Sequence, residues 1–190
     1  SAPATTEYSA STAANAWSFE DLFFAQVAVH RPDSPYLHLV EGRWVKLKLN
    51  ISAPSNSVVA PKFEVVVKDI DGNVVGTRVL TGPRTIPTEL DLPSTNNLAT
   101  GAGHNDADSY TVPIPAAWVS PGNKIEILAN GVSLADRADF TAKGYANSDG
   151  YITPNIVGGG SPDISIGHFT LGAYNDTYLY VSTNDFAADI

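Results

Sequence analysis

The chain has 190 residues, carries a net charge of −9 from 20 acidic and 11 basic residues, and contains no cysteine. The negative charge argues against nucleic-acid partners, which require a basic surface, and the lack of cysteine excludes disulfides and thiolate metal sites. No apolar run approaches the roughly 20 residues of a membrane-spanning helix, so we expect no membrane span.

The first predicted elements are a leader and two strands. Residues 1–16 are small and polar and are predicted to form a flexible leader; a single β-sandwich domain is expected over 17–163. A strand is expected within 22–30. The next stretch alternates as a strand with one buried face does: Val45, Leu47, Leu49 and Ile51 are expected inside, and Trp44, Lys46, Lys48 and Asn50 outside.

A hairpin is predicted next, because Asp71-Gly72 separates two apolar runs within residues 63–80. Phe63, Val65 and Val67 are expected to face inward. Further strands are predicted at 110–115, 124–129, 164–171 and 177–182. Residues 164–190 are either the last strands of this domain or the start of a following one.

Short strands separated by proline and glycine indicate an all-β fold, since no segment has an amphipathic helical pattern. We predict an antiparallel β-sandwich of the immunoglobulin-like class, with a jelly roll as the alternative. The predicted core comprises Val45, Leu47, Leu49, Phe63, Val65, Val67, Val112, Ile125 and Ile127.

Motifs for catalysis are missing from the sequence. The four histidines, His30, His38, His104 and His168, are far apart and form no HExxH pair. There is no GxSxG elbow and no glycine-rich phosphate loop. We therefore do not expect this chain to be an enzyme, and no catalytic residue or resident metal is assigned.

One short segment has part of the pattern of a calcium loop. Asp69, Asp71 and Asn73 place oxygen ligands at alternate positions. The closing glutamate of an EF-hand is missing, and the segment lies where the hairpin needs a turn, so calcium is only a weak candidate cofactor. The pairs Asp106/Asp108 and Asn147/Asp149 are weaker candidates of the same kind.

Two groups of residues are candidates for ligand binding. Trp44, with Lys46 and Lys48, is predicted to lie on the outer face of a strand. An exposed indole there either stacks on a sugar ring or packs against an adjoining domain. The second group lies in the long polar loop 93–109, which is either functional or disordered; its candidates are His104, Asn105, Asp106 and Asp108.

Trp118 is bracketed by Pro115 and Pro121. Because proline removes backbone donors, this segment is predicted to connect strands across the sandwich. The indole is expected to fill the end of the core as a structural support rather than to form a binding site.

The segment IPAAWVSPGNKIEILANG, residues 114–131, resembles a passage in the N-terminal domain of secreted StcE-like and TagA-like zinc metalloproteases, bacterial enzymes that cut mucin-type glycoproteins. The stretches FAQVAVHRPDSPYLHLVEGRWVKLKLNI and APKFEVVVKDIDGNVVGTRVLTGPRTIPTELD are similar to that family's first strands and hairpin. DISIGHFTLGAYN is a looser match to the segment that leads into the protease domain. The family's HExxHxxGxxH zinc motif has no counterpart here, so no zinc ligand is carried over.

This resemblance implies a secreted or cell-surface accessory domain, expected as a monomer. Its role would be to position a glycoprotein substrate for an adjoining metalloprotease domain. Two alternatives remain: a freestanding glycan-binding or adhesive module, and a structural spacer.

Overall fold

The computed structural model describes residues 16–90 and 106–158, together with two strands at 166–171 and 176–181. The chain divides into two compact units, Ser1–Val157 and Gly158–Ile190. The division falls earlier than the predicted end of the first domain at residue 163. The predicted leader, apart from Ala16, lies outside the described residues.

Strands account for most of the regular structure in the described residues. In chain order they are β1 (Ser18–Ala25), β2 (Val29–His30), β3 (Leu39–Val40), β4 (Val45–Ser52), β5 (Phe63–Lys68), β6 (Val74–Val79), β7 (Tyr110–Ile114), β8 (Lys124–Ala129), β9 (Val132–Ser133), β10 (Ile156–Val157), β11 (Ile166–Leu171) and β12 (Asp176–Val181).

Helix is limited, within the same residues, to one four-residue α-helix and three short 3-10 helices. These are η1 (Asp106–Asp108), η2 (Ala116–Trp118), η3 (Leu134–Asp136) and α1 (Ala138–Thr141). The prediction of an antiparallel all-β chain is therefore confirmed.

The described strands of the first unit form two four-stranded antiparallel sheets, with the orders β2-β1-β4-β7 and β6-β5-β8-β9. A short parallel pair joins β3 to β10. In the second unit β11 and β12 pair antiparallel, with Ile166 opposite Val181. β5 and β6 form the hairpin that Asp71-Gly72 predicts, and Gly72 adopts φ 88° in its turn.

The two four-stranded sheets share one hydrophobic core. The ring of Phe63 on β5 lies 5.5 Å from that of Trp17 and 4.9 Å from that of Tyr110 on β7, so it joins both sheets. All nine predicted core residues are buried, none more than 4% exposed. Alternating apolar positions on β4, β5 and β8 supply most of them, as the pleat requires.

The alternation of β4 does not, however, leave one face in water. Lys48 is 5% exposed and Asn50 is 1% exposed, although both lie opposite the core-facing residues. β4 is a central strand, paired with β1 on one side and β7 on the other. Ser109 donates a hydrogen bond of 2.8 Å to Asn50 Oδ1, which satisfies part of this buried polar layer.

The strand predicted within 22–30 also differs from the structure. β1 begins earlier, at Ser18, and the chain turns after Ala25 into the two-residue strand β2. The register of β1 against β4 shifts between Phe19 and Asp21, as at a β-bulge. This irregularity brings Asp21 to the outer face, where its carboxylate accepts hydrogen bonds from Arg31 Nε (2.7 Å) and the Tyr145 hydroxyl (2.5 Å).

Candidate functional site

Trp44 immediately precedes β4, and its side chain is 59% exposed. The next residue, Val45, is fully buried in the core. Because successive side chains point to opposite faces of a sheet, Trp44 belongs to the outer face of sheet β2-β1-β4-β7. The predicted exposure of this indole is confirmed.

A row of side chains lies in register beside this indole. Ala25 pairs with Val29 on one side and with Lys46 on the other, and Lys46 pairs with Pro113. Val29 is 41% exposed and Pro113 is also exposed, while Ala25 and Lys46 are half-buried. These four residues and Trp44 form an exposed, largely apolar surface, which we call the Trp44 face.

Lys48 lies in the next row, opposite Phe23 and Thr111. Phe23 is 2% exposed and Lys48 is 5% exposed, so this part of the outer face is covered. The structure thus places Trp44, Lys46 and Lys48 on one face, as predicted, but presents only the first two to solvent. A long aliphatic stem allows a lysine to pack in this way.

The backbone before Trp44 is held by a glutamine side chain. Gln26 Nε2 donates to the carbonyl oxygens of Val40 (3.1 Å) and Arg43 (3.2 Å), and its Oε1 accepts from the Val40 N–H at 2.8 Å. The Gly42 N–H donates to the carbonyl of Val119 at 3.0 Å. These bonds fix the turn that carries the indole, so the Trp44 face is formed in advance of any ligand.

The second predicted group does not join the first. His104 and Asn105 lie outside the described residues, whereas Asp106 and Asp108 belong to η1, which precedes β7. Trp44 is next to the end of β7 where Ile114 pairs with Val45, while η1 lies at the Tyr110 end. The predicted acidic loop and the indole are therefore at opposite ends of one strand.

The calcium candidate forms a tight turn. Asp69 Oδ1 accepts from the Asn73 N–H at 2.8 Å, and Asp69 Oδ2 accepts from Asn73 Nδ2 at 3.0 Å. Hydrogen bonds from the Asn73 side chain and backbone lower the pKa of Asp69. Both carboxylate oxygens are therefore engaged in closing the β5–β6 hairpin, which is the role that a turn residue of this kind has.

Trp118 lies on η2, in the connection from β7 in one sheet to β8 in the other, as the flanking prolines predict. It is partly buried against the core, and its indole covers Gly76 of β6 so closely that a Cβ at Gly76 would lie 2.1 Å from the ring. The guanidinium of Arg78 lies 5.5 Å from the ring centroid. This is the environment of a structural support.

The described residues contain no cluster of three or more histidine, cysteine, aspartate or glutamate side chains that could hold a metal ion. His38 Nδ1 instead lies 2.7 Å from Asn155 Nδ2, beside the β3–β10 pair. Within the same residues, no helix is long and apolar enough to cross a membrane.

No protein-family model matches the chain, and no curated protein matches it significantly. These comparisons therefore give no information about the Trp44 face beyond its geometry. Sequence alternation identifies Trp44 and Lys46, but Val29 and Pro113 join them only through strand pairing, which leaves no local signal in the sequence.

Proposed function

We propose that this chain is a non-catalytic, immunoglobulin-like accessory domain that contacts a glycan or glycoprotein through the Trp44 face. The observation that carries the proposal is the 59% exposed indole of Trp44, held on a fixed turn beside a row of surface residues. Contiguous exposed apolar surfaces, unlike single exposed hydrophobic residues, often mark sites that meet a partner.

The strand order supports the immunoglobulin-like assignment. The order β1-β4-β7 corresponds to strands A, B and E of that fold, and β6-β5-β8-β9 corresponds to C′, C, F and G. In such a sandwich the faces turned away from the core are available to partners, and the Trp44 face is one of them.

The chemistry of the surface suits a sugar ring. A pyranose has an apolar face that stacks on an indole and a rim of hydroxyl groups that bond to polar side chains. Trp44 offers the plane, and Lys46 places a polar side chain on the same face, in register with Pro113. A single contact of this kind is weak, so we expect dissociation constants in about the micromolar to millimolar range.

The resemblance of residues 114–131 to StcE-like proteases supports a secreted bacterial protein in which an adjoining metalloprotease domain acts on the bound glycoprotein. In that setting the present chain positions substrate and supplies no catalytic group.

The test is binding of the chain to an immobilised mucin-type glycoprotein, before and after enzymatic removal of its glycans. We expect Trp44→Ala to weaken binding about tenfold, equivalent to about 1.4 kcal/mol, and Trp44→Phe to retain part of it. Val132→Ala, at a position 58% exposed on β9 of the other sheet, is the matched control and should bind normally.

A second function is favoured by the apolar character of Val29 and Pro113: the same face would pack on an adjoining domain. Wild-type binding by a stably folded Trp44→Ala variant would rule out glycan contact through this face. If, in addition, Trp44→Ala lowered the melting temperature of a longer protein but not that of the isolated chain, Trp44 would be an interdomain contact.

A further inference from the structure

A second candidate binding site lies in a pocket between the η3–α1 segment and the turn at residues 146–150. Its volume is about 380 Å³, at the low end of the 300–1,000 Å³ typical of small-molecule sites. The residues that line it have mainly short side chains, and they include Ala135, Asp136, Thr141, Asn147, Ser148 and Asp149.

The walls of this pocket are fixed by buried anchors. Leu134 is 1% exposed and Phe140 is 2% exposed, so both helical turns are tied to the core. On the opposite wall, the Asn147 N–H donates to the Tyr151 carbonyl at 2.8 Å, and the Gly150 N–H donates to the Asn147 carbonyl at 2.9 Å. The pocket is therefore preformed rather than a gap between mobile loops.

Two of the polar side chains are already engaged in holding these walls. The Thr141 hydroxyl lies within hydrogen-bond distance of the carbonyl oxygens of Ala135 (3.0 Å) and Arg137 (2.8 Å). Asp149 accepts from Lys124 Nζ at 3.2 Å and from the Tyr151 N–H at 3.3 Å. The charge of Asp149 is thus balanced by Lys124.

The remaining polar groups have hydrogen-bonding capacity to spare. Asn147 Nδ2 donates to Thr153 Oγ1 at 2.9 Å, which leaves its Oδ1 as an acceptor. Within the described residues, the Asp136 carboxylate and the Ser148 hydroxyl make no side-chain hydrogen bond or ion pair with the protein. The open groups are therefore two acceptors, one of them charged, and one hydroxyl that either donates or accepts.

We propose that this pocket binds one neutral sugar ring through its hydroxyl groups and discriminates against acidic sugars. A ligand that complements open acceptors must be rich in donors, and vicinal hydroxyls provide donors without charge. A carboxylate on the ligand would lie near the uncompensated charge of Asp136, which repels it. The choice of a sugar rests on the proposed glycan-binding function, but the site does not use Trp44.

The test uses three probes that differ mainly in charge: galactose, galactosamine and galacturonate. Each is titrated into the isotope-labelled chain while the backbone amide signals of residues 147–150 are followed by NMR. We expect galactose and galactosamine to shift these signals with millimolar dissociation constants, and galacturonate to bind at least tenfold more weakly. Asp136→Ala should weaken galactose binding at least fivefold.

Asp136→Asn separates charge from hydrogen bonding, because it keeps an acceptor oxygen and loses the charge. We expect this variant to bind galactose while losing much of the discrimination against galacturonate. Glu89→Ala, which removes an exposed acid elsewhere on the surface, is the control and should behave as wild type.

Equal affinity for galacturonate and galactose in the wild-type chain, or no shift with any probe, would overturn the inference. Loss of binding in Asp136→Ala but not in Trp44→Ala supports the pocket, whether or not the Trp44 face binds glycoprotein. The opposite pattern, with galactose binding lost only in Trp44→Ala, would overturn the pocket and leave the proposed function standing.

Discussion

At the scale of single residues, the close contact between Trp118 and Gly76 determines which residue position 76 can hold. Gly76 lies opposite Val67 of β5 and therefore on the core side of β6. The indole occupies the space that a side chain at this position would fill. Glycine at position 76 is thus required by the close approach of the ring.

We predict that Gly76→Ala destabilises the chain. The new methyl group would lie 2.1 Å from the nearest ring carbon, so the indole must move. Overpacking of this kind costs about 1–3 kcal/mol, which lowers the melting temperature by about 2–4 °C per kcal/mol in a chain of this size. Thermal unfolding followed by circular dichroism measures the shift.

The control for this prediction is Thr77→Ala, which changes the exposed neighbour in the same strand. A double-mutant cycle tests the cause: Gly76→Ala should cost less in a Trp118→Ala background, because the clashing ring is gone. An unchanged cost in that background would show that strain in β6, and not the indole, is responsible.

At the scale of elements, one arginine ties the start of β1 to the η3–α1 segment. The guanidinium of Arg137 lies 3.6 Å from the ring centroid of Trp17 and donates to the Trp17 carbonyl at 2.8 Å. It also pairs with Asp139, which accepts from the Phe19 N–H at 2.9 Å. Burial raises the pKa of Asp139, but the hydrogen bonds from Arg137 and Phe19 outweigh it and lower the pKa overall.

We predict that Arg137→Ala loosens this end of β1 more than it loosens the sheets. Hydrogen bonds to charged groups contribute about 1.5–3 kcal/mol, and the variant loses those to Asp139 and to the Trp17 carbonyl. Hydrogen exchange should therefore accelerate at the Phe19 amide while the amides of β5 and β8 keep most of their protection.

Arg84→Ala removes an exposed arginine that makes no ion pair with described residues, and it should leave exchange at Phe19 unchanged. Arg137→Lys keeps a charge but not the planar group, so an intermediate effect is expected. Uniform acceleration in all strands of Arg137→Ala would mean that the arginine stabilises the fold globally and does not act as a local tie.

The elements that the sequence predicts well are strands in which apolar and polar residues alternate. β8 alternates, β5 does so except at Val66, which is also buried, and the inward residues of both strands are buried as expected. Of the two-residue strands, β2 and β9 pair with the preceding strands β1 and β8 across short turns, whereas β3 and β10 pair with each other from distant parts of the chain. The existence of β3 and β10 therefore depends on tertiary structure that no short window of sequence contains.

The candidate site, too, can be predicted from the sequence only in part. The exposure of Trp44 follows from local alternation, whereas the burial of Lys48 depends on what covers Phe23 and Thr111 in its row. The pocket beside Asp136 is harder still to predict, since its two walls come from separate segments of polar sequence. Of the residues that line the pocket, the sequence indicates only Asn147 and Asp149, as a pair of neighbouring oxygen ligands.

At the scale of the whole molecule, a buried phenol between the two sheets makes the stability of the fold depend on pH in the alkaline range. Tyr110 begins β7 and is 3% exposed. Its ring contacts Phe63 of the other sheet, and its hydroxyl donates to the Pro83 carbonyl at 2.8 Å. Burial raises the pKa of Tyr110 to about 12.

We predict that the free energy of unfolding falls as the pH rises from about 10 to about 12. The unfolded chain releases the Tyr110 proton near its ordinary pKa of about 10, whereas the folded chain keeps it to about 12. The unfolded state binds fewer protons in this window, so stability falls with a limiting slope of about 1.4 kcal/mol per pH unit from this group. Urea unfolding at about pH 8 and about pH 11 measures the decline.

Tyr110→Phe should be less stable at the lower pH, because the bond to Pro83 is lost, but its stability should decline less steeply as the pH rises. Tyr36→Phe, which changes a side chain 75% exposed, should decline as wild type does. A decline as steep in Tyr110→Phe as in wild type would show that other groups, and not this phenol, govern alkaline unfolding.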